Sequence, residues 1–325
     1  MVYAQERAET AVANLRTAVV GITVAPTGQP IAQREPAVDS MNPAHSSTSR
    51  GAAVGAGTLV SADGLILTIA SLFETPGDII VTLDSGERIK ASLVGQDRHT
   101  GLALLKVDRT NVPFLRVTAP QGLALGERVI ALGRTAFETG SPLVVTDGIV
   151  SSTWSAGMGV ASFIQATVQV LPGMGGGPLI RLKTGELVGV VSQQYVQRVG
   201  MSITFATPIE VYLGIATELR SRGQVARAAI GISANVLSEE DSRRIGLPVK
   251  MGVILTGIRD SGPAQKAGLQ VGDVVLAVEG KEPTSAPSLF ELIRSKPPGS
   301  RLEVQIFRRG VTQTIHVTSE AVSGA

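Results

Sequence analysis

Between Gly55 and Ala206 short apolar runs recur every few residues, and Gly-, Asp- and Ser-rich turns stand between them. No periodic stretch there is long enough for a helix of several turns, so this cadence commits the region to many short strands. Residues 56–60 and 65–69 flank the turn Ser61-Ala62-Asp63-Gly64, and Asp-Gly between apolar runs is a strong hairpin signal. Residues 79–83, the turn Asp84-Ser85-Gly86, then 88–94 and 102–107 continue the group, with 17–24 as its first strand. A second group covers 128–132, 146–152, 162–170, 187–191 and 202–206. Two groups of about six strands each predict a mainly β fold of two packed barrels. Residues 209–222, with Val211, Ile215 and Leu219 at i, i+4 and i+8, predict a closing amphipathic helix that stops at Arg222-Gly223-Gln224.

Composition agrees with this. Hydrophobic residues make up 43% and charged residues 17%, a globular balance, while aromatics are only 3% and glycine reaches 37 residues. The net charge of +2 is too small to argue for nucleic acid or an anionic membrane. With no cysteine, disulfides, thiolate chemistry and zinc–thiolate sites are excluded. No apolar run approaches the roughly 18 residues of a spanning helix. Met1-Val2-Tyr3-Ala4-Gln5 reads equally as an ordinary N-terminus and as the tail of a signal-peptide cleavage site, in which case Met1 is not native. Residues 6–16 have helical spacing, and 26–50, rich in Pro, Ser, Gln and Thr, reads as a flexible loop.

The densest glycine run is Leu171-Pro172-Gly173-Met174-Gly175-Gly176-Gly177-Pro178-Leu179. Successive amides in such a loop can form a concave cradle for a carbonyl oxygen or an anion. The run resembles the Gly-Asn-Ser-Gly-Gly-Pro nucleophile loop of HtrA/DegP-type serine proteases. Residues 55–68 and 97–107 resemble two further anchors of that family. Residues 226–320 resemble a bacterial PDZ domain, carried by Pro263-Ala264, Ala267-Gly268-Leu269 and Gly272-Asp273-Val274. The resemblance implies a trypsin-like domain over about 10–222, whose first 25 residues hold an N-terminal helix and strand, followed by a PDZ domain.

At the family's histidine, aspartate and serine positions the resemblance puts Ser71, Gly101 and Gly175. A hydroxyl cannot take a proton near neutral pH as an imidazole can, and glycine supplies neither nucleophile nor carboxylate. His99 is a turn residue two positions from Gly101, while Ser71 and Ser192 are hydroxyls without an evident base. His45 falls in the loop and His316 in the last strand, and no set of His or carboxylate residues has metal-ligand spacing. The expectation is therefore a non-enzymatic pseudoprotease, a scaffold or regulatory subunit without cofactor or metal. The alternatives are a serine endopeptidase with rearranged catalytic residues and a holdase chaperone. Gly173, Met174 and Gly175 would be the remnant of the oxyanion loop, with Met174 closing or filling the cleft.

In PDZ domains a peptide C-terminus adds as a strand, its carboxylate held by loop amides. By resemblance Ala229, Ile230, Gly231 and Ile232 form that loop, and Phe290 and Ile293 join Ile230 and Ile232 in an apolar pocket. The implied partners are proteins or peptides with free C-termini, and a homotrimer or a hetero-oligomer with an active HtrA relative. No nucleic acid and no membrane span are expected, and the implied location is periplasmic or otherwise exported.

Overall fold

The computed structural model describes residues 12–13, 15–25, 53–134, 141–154, 163–192, 203–247 and 252–323. The expectations for Met1–Gln5, for most of the helix at 6–16 and for the loop at 26–50 lie outside the described residues. Two compact units divide the chain, the second beginning at Ala226.

The first unit contains two closed six-stranded antiparallel barrels. β1 (Val19–Ala25), β2 (Ala53–Leu59), β3 (Leu65–Ile69), β4 (Asp78–Thr82), β5 (Arg88–Asp97) and β6 (Leu102–Val107) close in the order β1-β2-β3-β6-β5-β4. β7 (Arg128–Arg134), β8 (Leu143–Trp154), β9 (Phe163–Ala166), β10 (Pro178–Arg181), β11 (Leu187–Ser192) and β12 (Thr204–Pro208) form the second, in the order β10-β11-β12-β9-β8-β7. Closure leaves no sheet edge unpaired, which suits strands this apolar. All five residues of β3 are buried, while β5 alternates at its start and buries Ile89 and Ala91.

The predicted turns close as their residues dictate. The Val60 amide donates to the Leu65 carbonyl at 2.8 Å, and Gly64 supplies the positive φ of +88°. The helix runs Ile209–Arg222 and ends at Gly223, whose left-handed backbone returns its amide to the Leu219 carbonyl at 3.1 Å. Leu219 is fully buried, and Val211 and Ile215, partly buried, pack against the core that holds Ile209 and Tyr212. Gly214 lies mid-helix with open space where a Cβ would stand. Gly214→Ala should raise stability by about 0.5–1 kcal/mol, because the unfolded chain loses freedom and no neighbour is disturbed. Thermal denaturation checks this, and an unchanged or lower midpoint would contradict it.

Strand β9 is shorter than the expected 162–170. Beyond Ala166 side-chain hydroxyls enter the pairing: the Thr167 hydroxyl accepts from the Ile149 amide at 3.0 Å and the Thr204 hydroxyl donates to Val168 O at 2.7 Å.

The second unit is a five-stranded sheet ordered β14 (Ile232–Val236), β15 (Val253–Ile258), β16 (Val274–Val278), β17 (Arg301–Arg308), β18 (Val311–Thr318). A separate two-stranded ladder pairs β13 (Ala226–Ala229) with β19 (Glu320–Ser323). The Pro-Ala…Ala-Gly-Leu…Gly-Asp run builds a helical turn at Pro263–Lys266, left-handed glycines at 268 and 272, and a buried carboxylate. Asp273 is 1% exposed; its carboxylate accepts from the Gln270 amide at 2.8 Å and from Arg308 Nε at 2.6 Å. That hydrogen bond holds the Arg308 guanidinium above its ordinary pKa. The helix Ala286–Arg294 starts at a reciprocal Ser285/Ser288 capping box and packs Leu289, Leu292 and Ile293 into the core.

Candidate functional site

Between the two barrels of the first unit, strands β2 and β3 meet the glycine-rich loop that leads into β10. The loop is held on both sides by backbone bonds. Gly175 O accepts from the Ala56 amide at 2.7 Å, the Gly176 amide donates to Val191 O at 2.8 Å, and the Val191 amide donates to Gly177 O at 2.9 Å. Within the loop Met174 and Gly177 close successive turns, to Leu171 O and Met174 O, both at 3.0 Å. The Gly173 and Gly175 amides donate to no acceptor among the described residues, although both residues are buried. Two such amides are what a carbonyl oxygen or an oxyanion requires.

Met174 is fully buried in the core of the second barrel. Its side chain covers Gly133, where an added Cβ would fall 2.7 Å from Met174 Cγ, and the Leu171 amide lies 3.4 Å from its sulfur.

Ser71 is half-buried on the short 3₁₀ turn Ala70–Phe73, immediately after β3. The Ala70 amide donates to Gly101 O at 2.8 Å, so the Ser71 turn and the Asp97–Gly101 turn are directly joined. Leu72 and Gly175 both abut Gly55, lying 2.7 and 2.8 Å from an ideal Cβ on it. Ser71, Gly101 and Gly175 thus stand on three segments that meet at one place. Gly101 has φ +74° and open space around an ideal Cβ. Asp97 is 1% exposed and accepts from the Thr100 hydroxyl at 2.7 Å, while half-buried His99 belongs to the same turn. Ser192 ends β11 one residue beyond Val191, which is bonded to the loop.

In the second unit β14 is an edge strand, paired only with β15, and the helix Ala286–Arg294 lies near it. A strand edge beside a helix can admit an extended peptide. Ala229 ends β13, Ile232 begins β14, and Gly231 between them has φ +74°, a backbone glycine adopts without strain. The Gly231 carbonyl accepts from the Arg259 amide at 2.8 Å, and its own amide donates to nothing among the described residues. Of the expected pocket residues, Ile230 and Ile293 are core, at 1% and 2% exposure. Both side chains pack into the hydrophobic core of the second unit. Ile232 and Phe290 are half-buried, and the Arg294 guanidinium sits 5.7 Å over the Phe290 ring.

Two antiparallel six-stranded barrels with a glycine loop at their junction, followed by a five-stranded sheet with a capped helix, define a trypsin-like double barrel joined to a PDZ domain. Residues 55–190 match the model of the trypsin-like peptidase domain and 211–318 that of the PDZ domain. A probable periplasmic serine endoprotease DegP-like of Halomonas elongata is 37% identical over 82% of this chain and 56% of its own length. A protein of the same name from Pseudomonas fluorescens is 34% identical over 83% and 56%. The chain spans about half the length of these curated relatives. Among solved structures, a serine endoprotease from Yersinia pestis is 27% identical with a TM-score of 0.73, covering 97% of both chains. The HtrA-type protease AlgW with a decapeptide is 26% identical with a TM-score of 0.76, covering 97% of this chain and 98% of that one. The chain belongs to the HtrA/DegP-type family of trypsin-like, PDZ-containing serine proteases.

These relatives correct one expectation. A non-enzymatic scaffold subunit was expected from Ser71, Gly101 and Gly175, yet the relatives are named serine endoproteases, and the endopeptidase alternative fits them better. That expectation rested on side-chain identity at three positions alone. The relatives' periplasmic name agrees with an exported protein, and among the described residues no helix is long and apolar enough to cross a membrane.

Proposed function

We propose that the chain is an HtrA-type serine endopeptidase of the periplasm, with catalytic groups rearranged around the Gly173–Gly177 loop and a PDZ groove that takes free polypeptide C-termini. The observation that carries this reading is 37% identity to a named serine endoprotease over most of the chain. The Gly173 and Gly175 amides, which have no acceptor among the described residues, support it, because they can stabilise the oxyanion of acyl transfer whatever side chain attacks.

We read Ser71, Gly101 and Gly175 as occupying the family's histidine, aspartate and serine positions. The attacking hydroxyl then comes from a residue other than Gly175, and Ser71 and Ser192 are two serines on segments that adjoin the loop. The His99 imidazole, in the turn bonded to the Ser71 segment, is the base this arrangement offers. The balance of the step is that of any acylation: the hydroxyl oxygen bonds the scissile carbonyl carbon, its proton passes to the base, and the leaving amine takes that proton as the peptide bond breaks.

A fluorophosphonate probe with casein degradation tests this. Labelling of one serine, mapped by mass spectrometry, and loss of labelling and degradation together when that serine becomes Ala are expected. Absence of both label and turnover in contaminant-free protein would overturn it.

A further inference from the structure

We propose that Arg259 is a specificity-determining residue of the peptide groove: its guanidinium contributes to capture of the C-terminal carboxylate, and Glu320 is a built-in competitor that the carboxylate displaces. This rests on the PDZ groove reading above and adds a side chain to what loop amides alone would do.

The guanidinium lies in a slot between two glycines. An ideal Cβ on Gly231 would stand 3.3 Å from Arg259 Nε and 3.5 Å from Cζ, and one on Gly262 would stand 3.2 Å from Nε. The Gly231 amide has no acceptor among the described residues, and the Arg259 guanidinium lies beside that same residue, so a carboxylate bonded to this amide would stand close to a full positive charge. The slot is anchored by backbone bonds at both ends, Arg259 N–H to Gly231 O at 2.8 Å and Gly262 N–H to Arg259 O at 3.1 Å. Both glycines leave room that any other residue would fill.

The arginine is paired with the Glu320 carboxylate. Glu320 opens β19 and lies opposite Ala229, the first residue of the loop, in the β13–β19 ladder. Arg259 is 51% exposed and Glu320 40%. An ion pair this open costs little to break and exchanges readily with solvent or with another carboxylate. A peptide carboxylate docked on Gly231 would meet the same guanidinium while also taking an amide hydrogen bond, an advantage Glu320 lacks. The pair therefore keeps Arg259 extended along the slot in the empty groove and releases it to the ligand.

The test uses the full chain and a fluorescein-labelled decapeptide ending in valine, as free acid and as C-terminal amide, by fluorescence anisotropy. Wild type should prefer the acid. Arg259→Gln should weaken acid binding roughly tenfold, the scale of one charge-assisted hydrogen bond, and leave the amide unchanged. Glu320→Gln should strengthen acid binding about threefold and leave the amide unchanged. Arg259→Lys, which keeps the charge without the planar fork, should fall between wild type and Arg259→Gln. If wild type prefers the acid but Arg259→Gln keeps that preference, the role of Arg259 is refuted while the groove reading stands. Weaker acid binding in Glu320→Gln refutes the competitor role. Equal binding of acid and amide by wild type overturns the groove reading and this proposal with it.

Discussion

Arg134→Met should lower the stability of the double-barrel unit by about 3 kcal/mol, near the lower end of the cost of breaking a buried ion pair. Arg134 ends β7 and is 4% exposed. Its Nε donates to Val19 O at 2.7 Å, and its terminal nitrogens donate to Ser141 O at 2.9 Å and Arg16 O at 3.2 Å and pair with Asp84. Val19 begins β1 and Asp84 follows β4, so one guanidinium from the second barrel satisfies acceptors on the first. Methionine would fill the volume and leave these acceptors short of a donor, which costs more than the pair itself contributes. Arg16 also binds Asp84 but is 54% exposed, so Arg16→Met should cost under about 1 kcal/mol.

The pH dependence separates the charge from the packing. Burial pushes the Asp84 carboxyl up, but hydrogen bonds from Arg134 and Arg16 and their positive charges outweigh it, and the net effect is below the ordinary carboxylate range. A group with a lowered folded pKa stabilises the fold above its unfolded value, about 3.9, and loses that contribution as pH falls through the folded value. The gap between wild type and Arg134→Met should therefore be widest at neutral pH and narrow below about pH 4. Urea denaturation at pH 7 and pH 3 measures it; a pH-independent gap would mean that the carbonyl bonds carry the whole effect.

Most of the barrel strands were legible because each is a local event. Leu65–Ile69 and Leu102–Val107 are apolar runs bounded by turn residues, and the structure gives them those same bounds. The helix Ile209–Arg222 announced both its apolar face and its glycine stop. What stayed hidden depends on partners distant in sequence. Ala226–Ala229 reads Ala-Arg-Ala-Ala, with nothing β-branched, and becomes a strand only because Glu320–Ser323 returns to pair with it. Pro178–Arg181 is a strand of four residues that begins with proline, which hid it within the glycine run.

The site shows the same division. The glycine loop was visible as composition, and Gly231 as a motif residue. Nothing in the sequence, however, says that Arg259 lies along Gly231, because that contact arises where the turn after β15 folds over the loop before β14. Ile230 and Ile293 illustrate the converse. Apolar residues at motif positions look alike whether they line a groove or support it, and only burial tells them apart. The functional misreading had a similar origin. Side-chain identity at three positions was legible, whereas which neighbouring hydroxyls and amides share their space is a property of the folded junction.

That junction yields the second large expected effect. Gly176→Ala should cost about 3–5 kcal/mol, combining left-handed strain with overpacking. Gly176 has φ +88°, and an ideal Cβ there would fall 2.3 Å from both Ala56 O and Thr68 Oγ1. Thr68 is fully buried and its hydroxyl donates to Ala56 O at 2.7 Å, so the new methyl would be driven onto an existing hydrogen bond. Relief requires the loop to move away from β2 and β3, which lengthens the Ala56 N–H to Gly175 O bond and turns the Gly175 amide. Gly126→Ala supplies the control, because Gly126 has φ +80° but nothing within 4 Å of its Cβ position. It should show the backbone strain alone, about 1–2 kcal/mol. A midpoint for Gly176→Ala lower than that of Gly126→Ala by roughly 5 °C or more is expected for a unit of this size. Fluorophosphonate labelling should fall in Gly176→Ala and persist in Gly126→Ala. Equal midpoints in the two variants would mean that the loop absorbs a methyl without moving, and the tight seating of Gly176 against β2 and β3 would have to be abandoned.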